Sequence, residues 1–279
     1  MRIVAETLDR IERCYDAIPR VNGARVEDYG PLALFLRDGP GWPFYARPHL
    51  NATHVDVTDV RVVLERQRTL GVPEAFEWVD DITPTMRPAA LAAGLAVDLV
   101  PLMVLDASQL PDAATLTSAR VGLLDPDEAD FAEAYACASA VAAVGFGATG
   151  TATGSAGPAE RDAAVTAIDP DQLQLIAAQM RAGLKAQAVA WTDAEGLLAS
   201  GGTQGAADVR EIVGVATLPV ARRRGLGAAV SAALARQALD SGADLVFLSA
   251  ASEDVARVYA RIGFHRVGTA CLAAPPPPV

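Results

Sequence analysis

Lysine is almost missing from these 279 residues: Lys185 is the only one, and arginine carries nearly all of the positive charge. With abundant alanine, that imbalance points to a compositional bias rather than to an adaptation for binding. Basic residues are short overall, 23 against 34 acidic, so the formal net charge is −11. This argues against a nucleic-acid binder, which presents a basic face. A local arginine cluster can still hold a phosphate-bearing small ligand. Cysteine is scarce too: Cys14, Cys137 and Cys271 are odd in number, far apart and without metal-ligand spacing. His49, His54 and His265 show no such spacing either, so no metal site is expected. The first ten residues alternate charged with apolar side chains, so neither a secretory leader nor a membrane span is expected there. A cytoplasmic protein, without membrane or nucleic-acid partners, is the expectation.

What is present is apolar material, 51% of the chain. At about twice the length of a typical domain, that suffices for one large core or two ordinary ones. A helical pattern opens the sequence and breaks at Pro19. Strands are expected over 32–37 and 44–49, a helix over 60–70, a strand over 76–79, a helix over 83–93 and a strand over 97–105. Residues 109–117 read as a linker. The second series comprises a strand (120–124), an Ala-rich helix (130–144), a Gly/Thr-rich loop (145–158) and helical segments to about Gly183. Strands over 186–191, 197–201 and 209–217 follow, then a helix (225–239), a strand (245–249) and a helix (253–262). Residues 275–279, four prolines and a valine, are expected to form a loose tail.

The two halves resemble each other at an offset of 169 residues. Leu70 then meets Leu239, Phe76 and Trp78 meet Leu245 and Phe247, and Thr83 meets Ser252. Met86, Ala89, Ala90 and Ala93 meet Val255, Val258, Tyr259 and Ile262, one face of an amphipathic helix. Two similar α+β domains are expected, over 1–108 and 118–274.

The densest chemistry is Leu218-Pro219-Val220-Ala221-Arg222-Arg223-Arg224-Gly225-Leu226-Gly227-Ala228, set between a β-branched strand and an amphipathic helix. Glycines allow a close backbone approach, and the free N–H groups and dipole of a helix start attract anions. Three arginines beside them make a pyrophosphate cradle.

These residues resemble the GNAT superfamily of CoA-dependent N-acetyltransferases. The family's Arg/Gln-x-x-Gly-x-Gly/Ala loop is matched by Arg222-Arg223-Arg224-Gly225-Leu226-Gly227. Its tyrosine five residues before Gly-Phe is matched by Tyr259 before Gly263-Phe264. The resemblance implies two GNAT-like domains, each a mixed, mostly antiparallel sheet flanked by helices. It also implies a donor, acetyl-CoA, whose pantetheine lies in a gap between two splayed strands. Main-chain groups of Val215, Ala216 and Thr217 would pair with that arm. Arg222, Arg223, Arg224, Gly225, Leu226, Gly227 and Ala228 would hold the pyrophosphate. Ser252 stands where the family often carries asparagine and is assigned to the same cofactor contacts.

Amine acetylation needs a neutral nucleophile and a proton for the departing thiolate. Tyr259 is the expected proton donor. Glu211 is expected to share one strand face with Val213, Val215 and Thr217, under period-2 alternation. Some family members hold a general-base glutamate at this distance before the loop; a solvated strand-end carboxylate, or one that attracts a cationic amine, is the other reading.

The first half lacks these parts: Thr53-His54-Val55-Asp56-Val57-Thr58 replaces the loop, without glycine, and Ala90 replaces Tyr259. It reads as a degenerate copy that shapes or covers the site, with the segment 41–49 either lining a groove or forming an ordinary strand. Gly145-Phe146-Gly147-Ala148-Thr149-Gly150 matches a dinucleotide fingerprint but follows a helix instead of a strand, so it is rejected.

The resulting expectation is a tandem enzyme moving acetyl directly from acetyl-CoA to a small-molecule or peptide amine. A non-catalytic CoA-binding regulatory module is the alternative, and a homo-oligomer is left open.

Overall fold

A computed structural model describes residues 2–39, 41, 43–148 and 150–277. Trp42 of the groove segment, Thr149 of the glycine-rich hexapeptide, and Pro278 and Val279 of the tail lie outside the described residues. In chain order come α1 (Arg2–Val21), β1 (Arg25–Tyr29), β2 (Leu32–Leu36), β3 (Ala46–Pro48), α2 (Val57–Leu70), β4 (Phe76–Val79), α3 (Met86–Ala92) and β5 (Ala96–Leu105). Two short 3-10 turns precede β6 (Arg120–Leu123), α4 (Phe131–Phe146), α5 (Pro158–Ala164), α6 (Pro170–Arg181), β7 (Ala186–Thr192), β8 (Gly196–Ala206) and β9 (Val209–Thr217). A third turn, Pro219–Ala221, leads into α7 (Leu226–Asp240), β10 (Leu245–Ser249), α8 (Glu253–Ala260) and β11 (Phe264–Ala274). The chain is thus α+β, its strands mostly antiparallel and flanked by helices. None of the described helices is long and apolar enough to cross a membrane.

Contacts divide the chain into Met1–Leu102 with Arg266–Val279, and Met103–His265. The division falls inside β5, earlier than the expected linker, and the last strand returns to the first unit. There β11 pairs antiparallel with β4, Ala270 opposite Val79 and Cys271 opposite Trp78. The sequence reading expected no strand after the helix over 253–262 and assigned the residues up to 274 to the second domain; the pairing with β4 corrects both.

In the first unit β1, β2 and β3 form an antiparallel meander, and β4 lies parallel to β3. Leu32, Leu34, Val60, Leu64, Phe76, Trp78 and Met86 fill its core. Helix α1 passes through Pro19 instead of breaking there. The proline stands in the last turn, where a missing N–H and a ring clash distort little of the remaining helix. The expected strand over 44–49 is confined to Ala46–Pro48. At the start of α2, Asp56 accepts from the N–H groups of Thr58 and Asp59, and the Asp59 side chain returns a bond to the Asp56 backbone. This reciprocal capping box satisfies the first turn from within the chain.

The second unit repeats that order. Strands β7, β8 and β9 are antiparallel neighbours, β10 runs parallel to β9, and β6 adds to the far side of β7. The 169-residue offset carries Val57, where α2 begins, onto Leu226, where α7 begins, and Phe76 of β4 onto Leu245 of β10. The core joins Leu198, Ala199 and Ile212 of the sheet to Leu226, Val230 and Leu234 of α7 and to Tyr259 and Phe264.

Candidate active site

Strand β9 carries one residue more than its partner allows. Ser200 lies opposite Ala216 and Gly202 opposite Val213, so Gly201 faces two residues, Gly214 and Val215. Gly214 adopts φ +64° at this bulge, the left-handed region a glycine enters without penalty. An extra residue shifts alternation, and the side chains on either side of Gly214 end on different faces. Ser200 bonds the Ala138 carbonyl of α4, so its partner Ala216 faces α4, as do Val213 and Glu211 further along. A methyl built on Gly201 would touch Val215 and Val230 of α7. Val215 therefore faces α7, and so does Thr217. The expectation that Glu211 shares a face with Val215 and Thr217 fails because of this bulge.

The parallel ladder between β9 and β10 runs from Leu245 opposite Val209 to Phe247 opposite Glu211 and ends there. Both strands continue, β9 to Thr217 and β10 to Ser249. Past Glu211 they therefore run on without pairing, an opening of the kind the resemblance implied for a pantetheine arm. The main-chain groups of Val215, Ala216 and Thr217 lie along it. Glu211 stands at its closed end, only 5% exposed, and accepts a hydrogen bond of 2.8 Å from Gln204 Nε2 on β8.

Helix α7 starts without a side-chain cap. Its N-cap, Gly225, has φ +77°, and a methyl built there would lie 2.0 Å from the Leu116 carbonyl oxygen. Any larger residue at 225 thus collides with the protein itself. At Gly227 the same construction meets Thr217 Oγ1 at 3.4 Å and Val215 at 3.8 Å, ordinary contacts. The backbone N–H groups of Leu226, Gly227 and Ala228 form the uncapped first turn, where an anion is favoured. The equivalent turn of α2 in the first unit is closed by Asp56.

The three arginines have different tasks. Arg222 donates to the carbonyls of Gly145 at 2.8 Å, Ala148 at 2.6 Å and Ala152 at 3.0 Å. It supplies positive charge at the end of α4, whose last turn has no basic residue of its own. Arg224 makes a two-pronged pair with Glu195 on the β7–β8 turn, at 3.1 and 2.9 Å, and holds that carboxyl below its ordinary pKa. Arg223 is exposed, takes a left-handed φ of +68° and makes no ion pair among the described residues. Of the three it is the one whose guanidinium makes neither an ion pair nor a hydrogen bond among the described residues.

Tyr259 lies on the inner face of α8, 8% exposed, with its ring edge-on to Phe264 at 6.0 Å between centroids. Burial pushes its phenol up to about 12. The phenol therefore keeps its proton throughout the neutral range, as a proton donor must. Ser252 is the N-cap of α8, its Oγ accepting from the Val255 N–H at 3.3 Å. Gln204 escaped the sequence reading, although it bonds Glu211, which that reading had singled out.

Gly145 belongs to α4, where a methyl would come within 2.9 Å of Ala216 Cβ. Its place is helix-to-strand packing, and the dinucleotide reading has no strand-to-helix turn to stand on. The loop that follows is tied to the α7 approach by Gly154 N–H to Pro219 O at 3.1 Å, Val220 N–H to Ala156 O at 3.0 Å, and Arg222. Replacing Arg222 with alanine should release loop 147–157, destabilise the protein by about 1–3 kcal/mol and create a protease-sensitive site after Phe146. Limited proteolysis with a thermal melt checks this.

Comparison with known proteins agrees with this geometry. The FR47-like protein family matches residues 203–272, which include β9, α7 and α8. Among solved structures, a GCN5-related N-acetyltransferase from Kribbella flavida is similar at TM-score 0.68 and 23% identity, over 97% of this chain and 96% of its own. A GNAT-family protein from Novosphingobium aromaticivorans gives TM-score 0.55 and 17% identity, over 97% and 99%. A tandem GNAT protein from the clavulanic acid biosynthesis pathway gives 0.51 and 14%, over 89% and 79%. No curated protein matches the sequence. The chain thus has the fold of these N-acetyltransferase structures, and its residues 203–272 match the FR47-like protein family.

Proposed function

We propose that the protein is an acetyl-CoA-dependent N-acetyltransferase that moves acetyl directly to an amine, and that the second unit holds the working site. The observation that carries this reading is the uncapped start of α7 beside the opening between β9 and β10. The uncapped N–H groups and Arg223 suit a pyrophosphate, and the unpaired strand edges suit the amide-bearing arm behind it. In the first unit Asp56 fills the equivalent helix start with its own carboxylate, which supports a single donor site in this chain.

In this reading the amine nitrogen attacks the thioester carbonyl, a C–N bond forms, and the C–S bond breaks with its electron pair on sulfur. Tyr259 gives that sulfur its proton. The surplus proton of the new amide nitrogen leaves through Glu211 or water, and water restores the phenol. Glu211 faces α4 while Tyr259 lies buried on α8 beside Phe264, so in this reading the two serve different sides of a group lying in the opening. The amine is a small molecule or a peptide terminus.

Calorimetry with acetyl-CoA and thiol release across a panel of amines, aminoglycosides and peptide N-termini tests the proposal. Binding without release from any acceptor would instead make the protein a CoA-binding regulatory module. Glu211→Gln keeps an oxygen for Gln204 to donate to, so the fold should hold. If the carboxylate is the base, the variant is slower at neutral pH and approaches the wild type as pH rises and the amine deprotonates itself. A loss that is the same at every pH would remove Glu211 from proton transfer.

A further inference from the structure

Gln204 and Glu211 face each other across the β8–β9 hairpin. Ala206 pairs with Val209, so the turn is Ala207-Asp208, and Ala207 takes a left-handed φ of +50° there. A two-residue turn pins the register, and two positions further along each strand Gln204 stands directly opposite Glu211. Such a pair shares one face of the sheet, its Cβ atoms about 4.5–5.5 Å apart. The 2.8 Å bond from Gln204 Nε2 to Glu211 Oε2 is therefore built into the hairpin. On the other side, Glu211 lies opposite the fully buried Phe247 of β10. An apolar neighbour favours the neutral carboxyl, and the amide N–H favours the charged one. Strands β8 and β10 contain no charged residue. Within β9, Arg210 gives its guanidinium to the carbonyls of Gly183, Ala207 and Val209. Helix α4, packed on the Glu211 face, carries the exposed Glu133, and burial pushes up both the Tyr135 phenol and the Cys137 thiol, so neither is charged in the neutral range. Arg236 and Asp240 belong to α7, on the opposite face.

We infer that Gln204 is a positioning residue for the acyl transfer: its amide N–H fixes the Glu211 carboxylate at the closed end of the opening and keeps it ionised, ready to take a proton. This rests on Glu211 being the base of the proposed reaction. As the C–N bond forms, the C–S bond breaks with its electron pair on sulfur, which is protonated as proposed above. The surplus proton on nitrogen passes to Glu211 and from there to water, which restores the carboxylate. Gln204 neither gains nor loses a proton over the cycle. A carboxylate accepts about four hydrogen bonds, so one bond to an amide leaves it able to receive that proton. A neutral donor suits the task. A lysine or arginine in its place would hold the proton affinity of the carboxylate down, and an apolar residue would leave a buried charge unsupported.

The experiment measures kcat/KM against pH for Gln204→Met, Gln204→Lys and Glu211→Gln, and for each Gln204 change combined with Glu211→Gln. Thiol release from acetyl-CoA is followed with a weakly basic aromatic amine, or with water where no such amine is turned over, so that the acceptor does not titrate in the assay range. Gln204→Met keeps the length and loses the donor, so the acidic limb should move up by about one pH unit. Gln204→Lys adds a charge beside the carboxylate, and the limb should move down by about as much. KM for acetyl-CoA should stay near wild type in both. In the Glu211→Gln background neither change should alter the profile, because the effect runs through the carboxylate. A thermal melt accompanies each variant, and where one of the two fails to fold the other decides. If both lower the rate alike and leave the limb in place, Gln204 only packs, and the inference is overturned while the base stands. If Glu211→Gln keeps the wild-type rate and acidic limb, Glu211 is not the base, and the inference falls with that reading. A protein that releases no thiol to any acceptor overturns the acyl-transfer reading and the inference together.

Discussion

Tyr259→Phe should lower kcat by roughly 10²–10⁴-fold, the range for loss of a general acid, while acetyl-CoA affinity stays close to wild type. The variant removes one oxygen and keeps the ring that sits edge-on to Phe264. Stability should fall by no more than about 0.5–1.5 kcal/mol, the net value of one hydrogen bond. Burial holds the phenol at about 12, and its consequence for the rate has a definite sign. The group stays protonated as pH rises through neutrality, so it contributes no alkaline decline until pH nears that raised value. A bell whose upper limb falls near pH 8 would have to come from another group. Steady-state kinetics with calorimetry on the two proteins decides the matter. Full turnover by Tyr259→Phe would leave the donor site standing and remove the catalytic assignment.

How much of this was legible in the sequence depended on what each residue does locally. The strands 209–217 and 245–249 were read to the residue, because short apolar runs bounded by turns have few alternatives. Strand β1, Arg-Val-Glu-Asp-Tyr, was missed since it is mostly charged. Besides its ladder with β2, charge ties it: Glu27 accepts two bonds from Arg66 of α2, at 2.7 and 2.9 Å. No hydrophobic pattern announces such a strand. Strand β8 was ended at Gly201, five residues short, because glycines read as a stop. That truncation hid Gln204. Ala206 opposite Val209 leaves a two-residue turn, and counting back equally from it places Gln204 opposite Glu211. The signal was present once the strand was allowed to continue.

The bulge illustrates a different limit. Period-2 alternation is a correct rule for the segments on each side of Gly214, and it fails only across it. A glycine inside a strand pattern is itself a bulge signal, yet it fixes neither the residue skipped nor the resulting face. That needs the partner strand. The arginines were legible as a cluster but not as individuals. Only the structure separates Arg222, spent on three carbonyls, and Arg224, paired with Glu195, from Arg223.

The two glycines of the loop separate structure from binding. Gly227→Leu should weaken acetyl-CoA binding by two or more orders of magnitude while the protein remains folded. A methyl at 227 meets only Thr217 Oγ1 and Val215 at ordinary contact distances. An alanine there gains up to about 1 kcal/mol of helix propensity over glycine. The rest of the leucine side chain would extend beside Thr217 and Val215, the strand end that the proposed donor would follow, so the cost is expected to fall on the ligand. Gly225→Ala should behave in the opposite way. Its methyl would lie 2.0 Å from the Leu116 oxygen, on a backbone with φ +77°. That left-handed strain alone costs about 1–3 kcal/mol, and the collision must move the segment before β6 as well. Lower affinity in Gly225→Ala therefore says little about phosphate, whereas lower affinity at unchanged thermal midpoint in Gly227→Leu says a great deal. Calorimetry of acetyl-CoA against both variants, each paired with a melt, makes the distinction. An undiminished affinity in Gly227→Leu would mean that the donor does not lie on the start of α7, and the site would have to be sought elsewhere.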